Sequence, residues 1–500
     1  MLPVSLAAPH LANSFPPMQL NGKADNVIII VFDAFSASNT FLHGYPRETT
    51  PNISKLSEKA IVYHNHYAGG NFTTPGTATV LTGAHPWTHR AFRRNGTVED
   101  AFAKKNIFSA FDGYHRIAYS HNPWVYTLLN QFQEDIEKII PLDEFLLLKK
   151  DFVAKLLEND DNIATVSRVR IVDRKAEGFS YSLFLSYLYG AFERYRASQI
   201  KEWKTVYPRG IPSMDYINYF LLEDALDGLE NYLNNIQQPF LGYFHYWPPH
   251  EPYRTRKDFY NRFKNDNYKP VEKPRNPFSY GRTQKDPLRL SRLRIEYDEY
   301  ILYADQEFAR FFERLENSGL LENTWLILTS DHGELFERGI EGHSTPVLYQ
   351  PLIHIPLLIF EPGRTKRKDI YSPTSAIDVL PTLLQVTGQN PAPWSEGIIL
   401  PPFSNSISSQ ERNLYTLEAR ASEQFKPLTT ATVTMHKENY KLIYYLGHEE
   451  FGETGEHVEL YNILNDPEEL NNLYSTKQEL SQILLHELKE KLTQVNKPYE

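Results

Sequence analysis

The chain contains no cysteine. Disulfides, thiolate-held zinc and a cysteine nucleophile are therefore all excluded, and the composition suits a reducing compartment. Long apolar runs are missing too, since no stretch approaches the roughly 20 residues that a helix needs to cross a bilayer. Residues 1–17, MLPVSLAAPHLANSFPP, have no basic n-region, and Pro and His interrupt their apolar residues. They do not read as a secretory signal, so the expected location is cytoplasmic with no transmembrane segment. Basic charge is in the minority, with 52 Lys and Arg against 62 Asp and Glu and a net charge of -10. A nucleic-acid binder presents a basic face, so no nucleic-acid partner is expected.

What the chain does have is bulk and aromatic content. Its 500 residues are 41% hydrophobic and 13% aromatic, enough for one large domain and a smaller one. Two short apolar runs carry the same device. Val27-Ile28-Ile29-Ile30-Val31-Phe32 ends at Asp33, and Trp325-Leu326-Ile327-Leu328 breaks into Ser330-Asp331-His332-Gly333. Uninterrupted apolar runs of this length suit strands buried on both faces of an α/β sheet. Such sheets carry their working residues just past the strands' carboxyl ends. Two such strands side by side would place Asp33, Asp331 and His332 on one rim, where carboxylate and imidazole make a set of metal ligands. Gly333 would let the chain turn and pass close to a bound group.

Further polar residues fall at other strand exits. Ile117-Ala118-Tyr119-Ser120 leads to His121, and Phe240-Leu241-Gly242-Tyr243-Phe244 leads into the stiff loop Trp247-Pro248-Pro249-His250-Glu251-Pro252. In Asn71-Phe72-Thr73-Thr74-Pro75-Gly76, Thr74-Pro75 reads as an N-cap and first helical residue. Thr73 would then stand just outside a helix N-terminus, where an anion is favoured. The uncharged run Phe179–Phe192 reads as a buried helix of an insertion spanning about 125–238, or as the wall of a pocket for an apolar group. A long amphipathic helix is expected over Leu290–Leu321. The segment SPTSAIDVLPTLLQVTG reads as a helix ending at Gly388. Strands near 413–420, 428–435 and 439–446 and a helix over Gln478–Val495 predict a small antiparallel sheet covered by one helix. The domain reading is a loose lead-in over 1–25, a catalytic domain over 26–390 and an α+β subdomain over 404–500.

Taken in this order, the pieces resemble the sulfatase family of the alkaline phosphatase superfamily. In that family a strand ends in metal-binding Asp, and Asn26–Asp33 matches. A nucleophile in the pattern Cys or Ser, x, Pro, x, Arg precedes Thr-Gly, and Thr73-Thr74-Pro75-Gly76-Thr77 precedes Thr82-Gly83. The family's active-site Lys falls on His121, its substrate-side His on His250 and its DHG pair on Asp331-His332, while His343 sits near a second basic position. Ala376–Leu384 and Glu459–Glu469 resemble the family's late helix and C-terminal hairpin. The resemblance implies an alkaline phosphatase-like fold: a large, mostly parallel sheet flanked by helices, with a small C-terminal antiparallel sheet plus helix.

The departures from the pattern refine the expected chemistry. Ala34 stands where the second Asp would be, Thr73 at the nucleophile and Thr77 at the helix Arg. Threonine cannot become the formylglycine on which sulfatases depend, and so resembles the superfamily's phosphodiesterases and phosphotransferases. The resemblance thus implies a metal-dependent hydrolase or transferase of phosphoric or sulfuric esters, phosphorus esters favoured, acting through Thr73 and a covalent intermediate. One divalent ion (Mn, Ca, Mg or Zn) is expected on Asp33, Asp331, His332 and Thr73, a second being less well supplied with ligands. His121, His250 and Asn95 are expected on the substrate oxygens, the two histidines charged, with His343 as a further catalytic residue. The substrate would be a small-molecule, lipid or glycan ester. Alternatives are a formylglycine-independent sulfuric ester hydrolase, an inactive sulfatase-like binding protein, or a headgroup transferase at a membrane surface.

Overall fold

The computed structural model describes residues 25–147, 191, 194–195, 198, 200–214, 218–278, 285–404 and 412–500. The run Phe179–Phe192, Ala191 apart, lies outside these residues. Eight strands form the central sheet. In chain order they are β1 (Asn26–Phe32), β2 (Ile61–Tyr63), β3 (His115–Ser120), β4 (Lys138–Ile139), β5 (Phe240–Tyr246), β6 (Thr324–Thr329), β7 (Leu357–Phe360) and β8 (Lys368–Ile370). Across the sheet the order is β8-β2-β7-β6-β1-β5-β3-β4. Only β7 runs against the others, pairing antiparallel with both β2 and β6.

All seven residues of β1 are buried, because alternate side chains enter cores on opposite faces of the sheet. Val27, Ile29 and Val31 pack with Ala78, Val80 and Leu81 of helix α1 (Thr73–Thr82). Ile28, Ile30 and Phe32 pack with Tyr300, Ile301 and Phe308 of the 31-residue helix α2 (Pro287–Asn317). The central strands therefore read as unbroken apolar runs rather than alternating ones.

Register brings the strand exits together. Val31 pairs with both His245 and Thr329, and Ser120 pairs with His245. Asp33, His121, His245 and Asp331 thus emerge along one carboxyl rim.

Beyond the sheet, β9 (Leu414–Glu418), β10 (Ala431–Lys437), β11 (Tyr440–Leu446) and β12 (His457–Asn462) form an antiparallel sheet in chain order, and helix α3 (Gln478–Asn496) packs on it. Its core takes in Trp87 and Phe92 from the segment after α1. The β9 residue Leu417 donates its N–H to Gly69 O at 2.9 Å, so this sheet braces the chain just ahead of Thr73.

Two glycines permit the close packing behind the rim. A Cβ on Gly76 would lie 2.2 Å from the Asp331 carbonyl oxygen, and one on Gly333 would lie 2.0 Å from that of Pro351. Neither oxygen belongs to a side chain that can swing away. Gly76→Ala should therefore destabilise the fold by about 1–3 kcal/mol, the usual cost of overpacking, seen as a lower urea midpoint. An unchanged midpoint would show that α1 is not held this close to Asp331.

Candidate active site

The rim carries two buried carboxylates without enough hydrogen bonds to satisfy them. Asp33 and Asp331 are 0% and 1% exposed. Asp33 Oδ2 accepts from Asn122 Nδ2 at 2.6 Å. Asp331 Oδ1 accepts from the N–H groups of Ala34 at 3.2 Å and His332 at 2.9 Å. Asp33 Oδ1 and Asp331 Oδ2 have no hydrogen-bond partner. Buried acceptors left in this state are costly.

His332 Nδ1 makes a 2.8 Å hydrogen bond with the Gly333 carbonyl. It must donate there, so that in the neutral ring Nε2 is the lone-pair nitrogen. Nε2 lies 3.4 Å from Asp33 Oδ1, 3.6 Å from Asp331 Oδ2 and 3.5 Å from Thr73 Oγ1. Among the described residues, Asp33, Asp331 and His332 form the one group of three whose ligand atoms all lie within 4.8 Å of one another. Two orphaned carboxylate oxygens and a fixed imidazole lone pair fit a divalent cation, with Thr73 Oγ1 beside it.

Thr73 is the first residue of α1, and Phe72, extended at φ -155°, is its N-cap. The helix thus begins two residues earlier than Thr74-Pro75 suggested, and Thr73 lies inside its first turn rather than just outside it. Thr74 Oγ1 caps nothing and has no partner. The Thr73 hydroxyl accepts from Asn122 Nδ2 at 3.3 Å. Asn122 in turn caps the helix starting at Pro123 through Trp124 N–H, so one amide bridges Asp33, Thr73 and a helix start.

The histidines surround this centre without forming the charged set expected. His121 is fully buried and stacked on Phe220 with ring centroids 4.2 Å apart, and neither ring nitrogen has a partner. Burial and the neighbouring His245 push it down to about 3, so it meets any substrate as a neutral ring. Burial likewise lowers His250 against the pull of Asp33, and its Nδ1 is bound to the Glu251 carbonyl at 2.7 Å. His343 stands between His250 and His332, its ring centroid 4.8 Å and 4.4 Å from theirs. Its Nδ1 pairs with Glu334 Oε1 at 3.0 Å, and burial pushes Glu334 up to about 7. Burial thus works against the charged imidazoles expected on the substrate side, for want of water to solvate them. Asn95 is not brought into this buried group. It sits on an exposed turn at φ 54° and accepts from Thr127 Oγ1 at 2.8 Å.

Three residues were not singled out from the sequence. His245 Nε2, without a hydrogen-bond partner, looks toward both carboxylates at 3.4 Å and 3.7 Å, while Tyr243 holds its Nδ1 at 3.1 Å. The alternation of β5 and its pairing with β1 aim this ring, and pairing is not written in the local sequence. Asn122 carried only the signature of a helix cap before proline. Glu334, beyond the DHG triplet, gave no local signal of its contact with His343.

Residues 25–389 match the sulfatase family model. The chain belongs to the sulfatase family. Residues 343–498 also match the model of the N-sulphoglucosamine sulphohydrolase C-terminal region. Choline-sulfatase of Rhizobium meliloti is 26% identical over 243 residues, covering 45% of this chain and 44% of the relative. The low-salt glycan biosynthesis sulfotransferase Agl7 of Haloferax volcanii is 33% identical over 169 residues, 33% of this chain and 37% of that protein. The chain therefore spans less than half the length of these two relatives. Phosphonate monoester hydrolase of Agrobacterium radiobacter shares the fold, with a TM-score of 0.67 at 18% identity over 95% of this chain and 96% of that one. No helix among the described residues is long and apolar enough to cross a membrane.

The two carboxylates also act on His332 itself. Burial disfavours its charge, but Asp331 and Asp33 overcome that and raise it from 6.5 to about 9. Between pH 6.5 and 9 the ring is thus charged in the folded apo protein and largely neutral when unfolded. This contribution to stability is full below pH 6.5 and lost as the pH rises through about 9. A cation must displace that proton. Metal binding at about pH 7.5 should release about one proton, read by calorimetry in buffers of different ionisation enthalpy. His332→Gln should abolish the release, and Asp331→Ala should abolish metal binding itself. Unchanged metal content in Asp331→Ala would remove the cluster as the site.

Proposed function

We propose that the protein is a metal-dependent hydrolase of phosphoric or sulfuric esters that works through Thr73 and favours phosphorus esters. The position of Thr73 Oγ1 carries this reading. It is buried, 3.5 Å from His332 Nε2 and 3.3 Å from Asn122 Nδ2, at a helix start whose first N–H groups have no intrahelical partner. A divalent cation on Asp33, Asp331 and His332 supplies an acidified hydroxyl and charge for a non-bridging ester oxygen. Thr73 Oγ1 attacks phosphorus in line, forming a phospho-threonine as the bond to the leaving alcohol breaks. Asn122 orients the hydroxyl. The buried His343–Glu334 pair, its carboxyl near 7, is placed to protonate the departing oxygen at neutral pH. Water attacking phosphorus then frees Thr73.

One consideration supports the preference over sulfate esters, and a second bears on the charge of the ester. Unmodified threonine lacks the geminal hydroxyls through which formylglycine enzymes eliminate sulfate, so a sulfo-threonine would have to be cleared by attack at sulfur. The neutrality of His121, His250 and His343 also leaves the bound cation as the main positive charge at the centre. Such a site suits singly charged esters (phosphodiesters, phosphonate monoesters and sulfate monoesters alike) over doubly charged phosphate monoesters. A transferase reading comes second, favoured by the sulfotransferase among the relatives. It differs only in what clears Thr73, an acceptor hydroxyl in place of water. The organic part of the ester, small molecule, glycan or lipid, and a cytoplasmic setting belong to the same proposal.

The test is side-by-side turnover of aryl phosphodiester, phosphonate, phosphate and sulfate esters with Mn, Zn, Mg and Ca. The phosphodiester or phosphonate should give the highest kcat/KM. Thr73→Ala should lose nearly all turnover, and Thr73→Ser should keep a measurable part. Robust sulfate ester hydrolysis with Thr73 shown unmodified by mass spectrometry would overturn the reading.

A further inference from the structure

A cavity of about 1000 Å³ opens on the same side of the sheet, beyond the exits of β2 and β8. None of Asp33, Thr73, Asp331, His332, His250 or His343 lines it. The segment Gln350–Ile353 separates it from the reacting centre. Gln350 and Pro351 face the cavity, while the Pro351 and Leu352 carbonyls accept from the N–H groups of Glu334 and Gly333 at 3.1 Å and 2.8 Å on the other side.

The cavity wall holds polar atoms that the protein itself does not satisfy. His436 lines it, is 2% exposed, and has no hydrogen-bond partner on either ring nitrogen. Its ring stacks on Tyr67 with centroids 4.0 Å apart, which fixes the plane of the two nitrogens. Gln350 Oε1, on a side chain from a residue only 8% exposed, also lacks a partner. Groups of this kind are expected to be paired, here with something the cavity holds.

The mouth has a different character. Tyr371, Val271 and Leu464 line the cavity and stand 66%, 48% and 68% exposed. Tyr371 is fixed in orientation by His64, stacked on it at 4.5 Å and 7°.

The buried charges on the wall are already matched. Lys273 lies 2.8 Å from Glu337 and 2.6 Å from Glu468. Arg412 is paired with Asp378, and Arg294 with Glu337 at 3.4 Å. Among the described residues the wall therefore offers no buried uncompensated cation to an anion. Apolar ligands would leave His436 and Gln350 unpaired. A metal has no seat here, since the one ligand cluster among the described residues is elsewhere. Burial also keeps the His436 imidazole well below its usual range, hence neutral, with one N–H and one lone pair. That is the complement of a hydroxyl group, which both gives and takes a hydrogen bond.

We infer that this cavity is a saccharide-binding site, separate from the reacting centre, that takes an uncharged sugar segment with its hydroxyls on His436 and Gln350 and an apolar ring face on Tyr371. Its volume is at the upper end of that usual for ligand pockets. The wall it shares with the reacting centre is the main chain of Pro351 and Leu352, hydrogen-bonded to Gly333 and Glu334. Occupancy therefore does not require any catalytic side chain to move.

The experiment titrates the intact metal-loaded protein with maltotriose, chitotriose and mannotriose by calorimetry and saturation-transfer NMR. At least one should bind saturably at one site. His436→Phe, which keeps the stack on Tyr67 but removes both nitrogens, should weaken it about tenfold or more, the scale of one or two lost hydrogen bonds. Tyr371→Ala, at an exposed position that does not threaten folding, should weaken it similarly. Metal content and turnover of a small aryl ester should stay at the wild-type level in both variants. Failure of all three sugars to bind would overturn the inference, as would binding that neither variant weakens. Tighter binding of sulfated counterparts of these sugars would overturn the uncharged class. Loss of aryl ester turnover in the wild type would bear on the reacting centre alone and leave this result standing.

Discussion

Two carboxylates buried side by side cannot both stay charged unless a positive charge lies between them. Asp33 and Asp331 stand in this relation at the centre of the sheet, with His245 Nε2 within 3.7 Å of both. Burial and the negative charge of Asp33 raise Asp331, while the surrounding imidazoles more than offset the burial of Asp33 and hold it low. The arrangement is stable only as a set. Its members come from five places in the chain: the ends of β1, β3, β5 and β6, and the start of α1. Parallel strands make this possible, because they deliver all their carboxyl ends to one edge.

The cost of holding charge in this place explains features at some distance from it. Ala34, next to Asp33, is forced to φ 60°, a conformation that costs a non-glycine residue of order 1 kcal/mol or more. In return its N–H reaches Asp331 Oδ1. The Ala34 carbonyl accepts from Tyr297 Oη at 2.6 Å, and that same hydroxyl takes the N–H of Ser36 at 3.0 Å. A buried tyrosine of α2 thus pins the turn that carries Asp33. Ser330 works from the opposite strand, donating to Phe32 O at 2.7 Å and accepting from Phe35 N–H at 2.9 Å. Strain at one residue is balanced by hydrogen bonds drawn from three elements.

The parts of this that the sequence displays are those decided locally. Apolar runs buried on both faces announce themselves by composition, so β1 and β6 and the carboxylates at their exits could be read directly. Long amphipathic spacing marked α2, whose ends at Pro287 and Asn317 differ by a few residues from Leu290–Leu321. Thr73 was legible as a hydroxyl beside a helix start, though Thr74-Pro75 put that start two residues late. What depended on pairing was not legible. His245 faces the carboxylates only because Val31 and Ser120 flank it in register. The charge of His121 depends on Phe220 lying over it, a contact between distant parts of the chain that no local pattern encodes. Asn95 was expected on a substrate oxygen, and the structure has its side chain accepting from Thr127.

The electrostatic ledger of the centre also limits what it can hold. With a divalent cation and His332 neutral, the group of Asp33, Asp331 and His332 is neutral. Burial lowers His121, His250 and His343 and so disfavours further positive charge, although the Asp33 carboxylate pulls the other way on His250 and His343. A singly charged ester then brings the buried total to minus one, and a doubly charged ester to minus two, in surroundings where uncompensated charge is expensive. The second charge would need Arg94 or Arg420, and each already has work elsewhere: Arg94 meets Ser344 Oγ at 2.6 Å, and Arg420 meets Glu418 at 2.8 Å. On the proposed function, charge balance at the rim would discriminate between esters by the number of their ionised oxygens, and would leave phosphodiesters and sulfate monoesters, each singly charged, to be separated by how Thr73 is cleared.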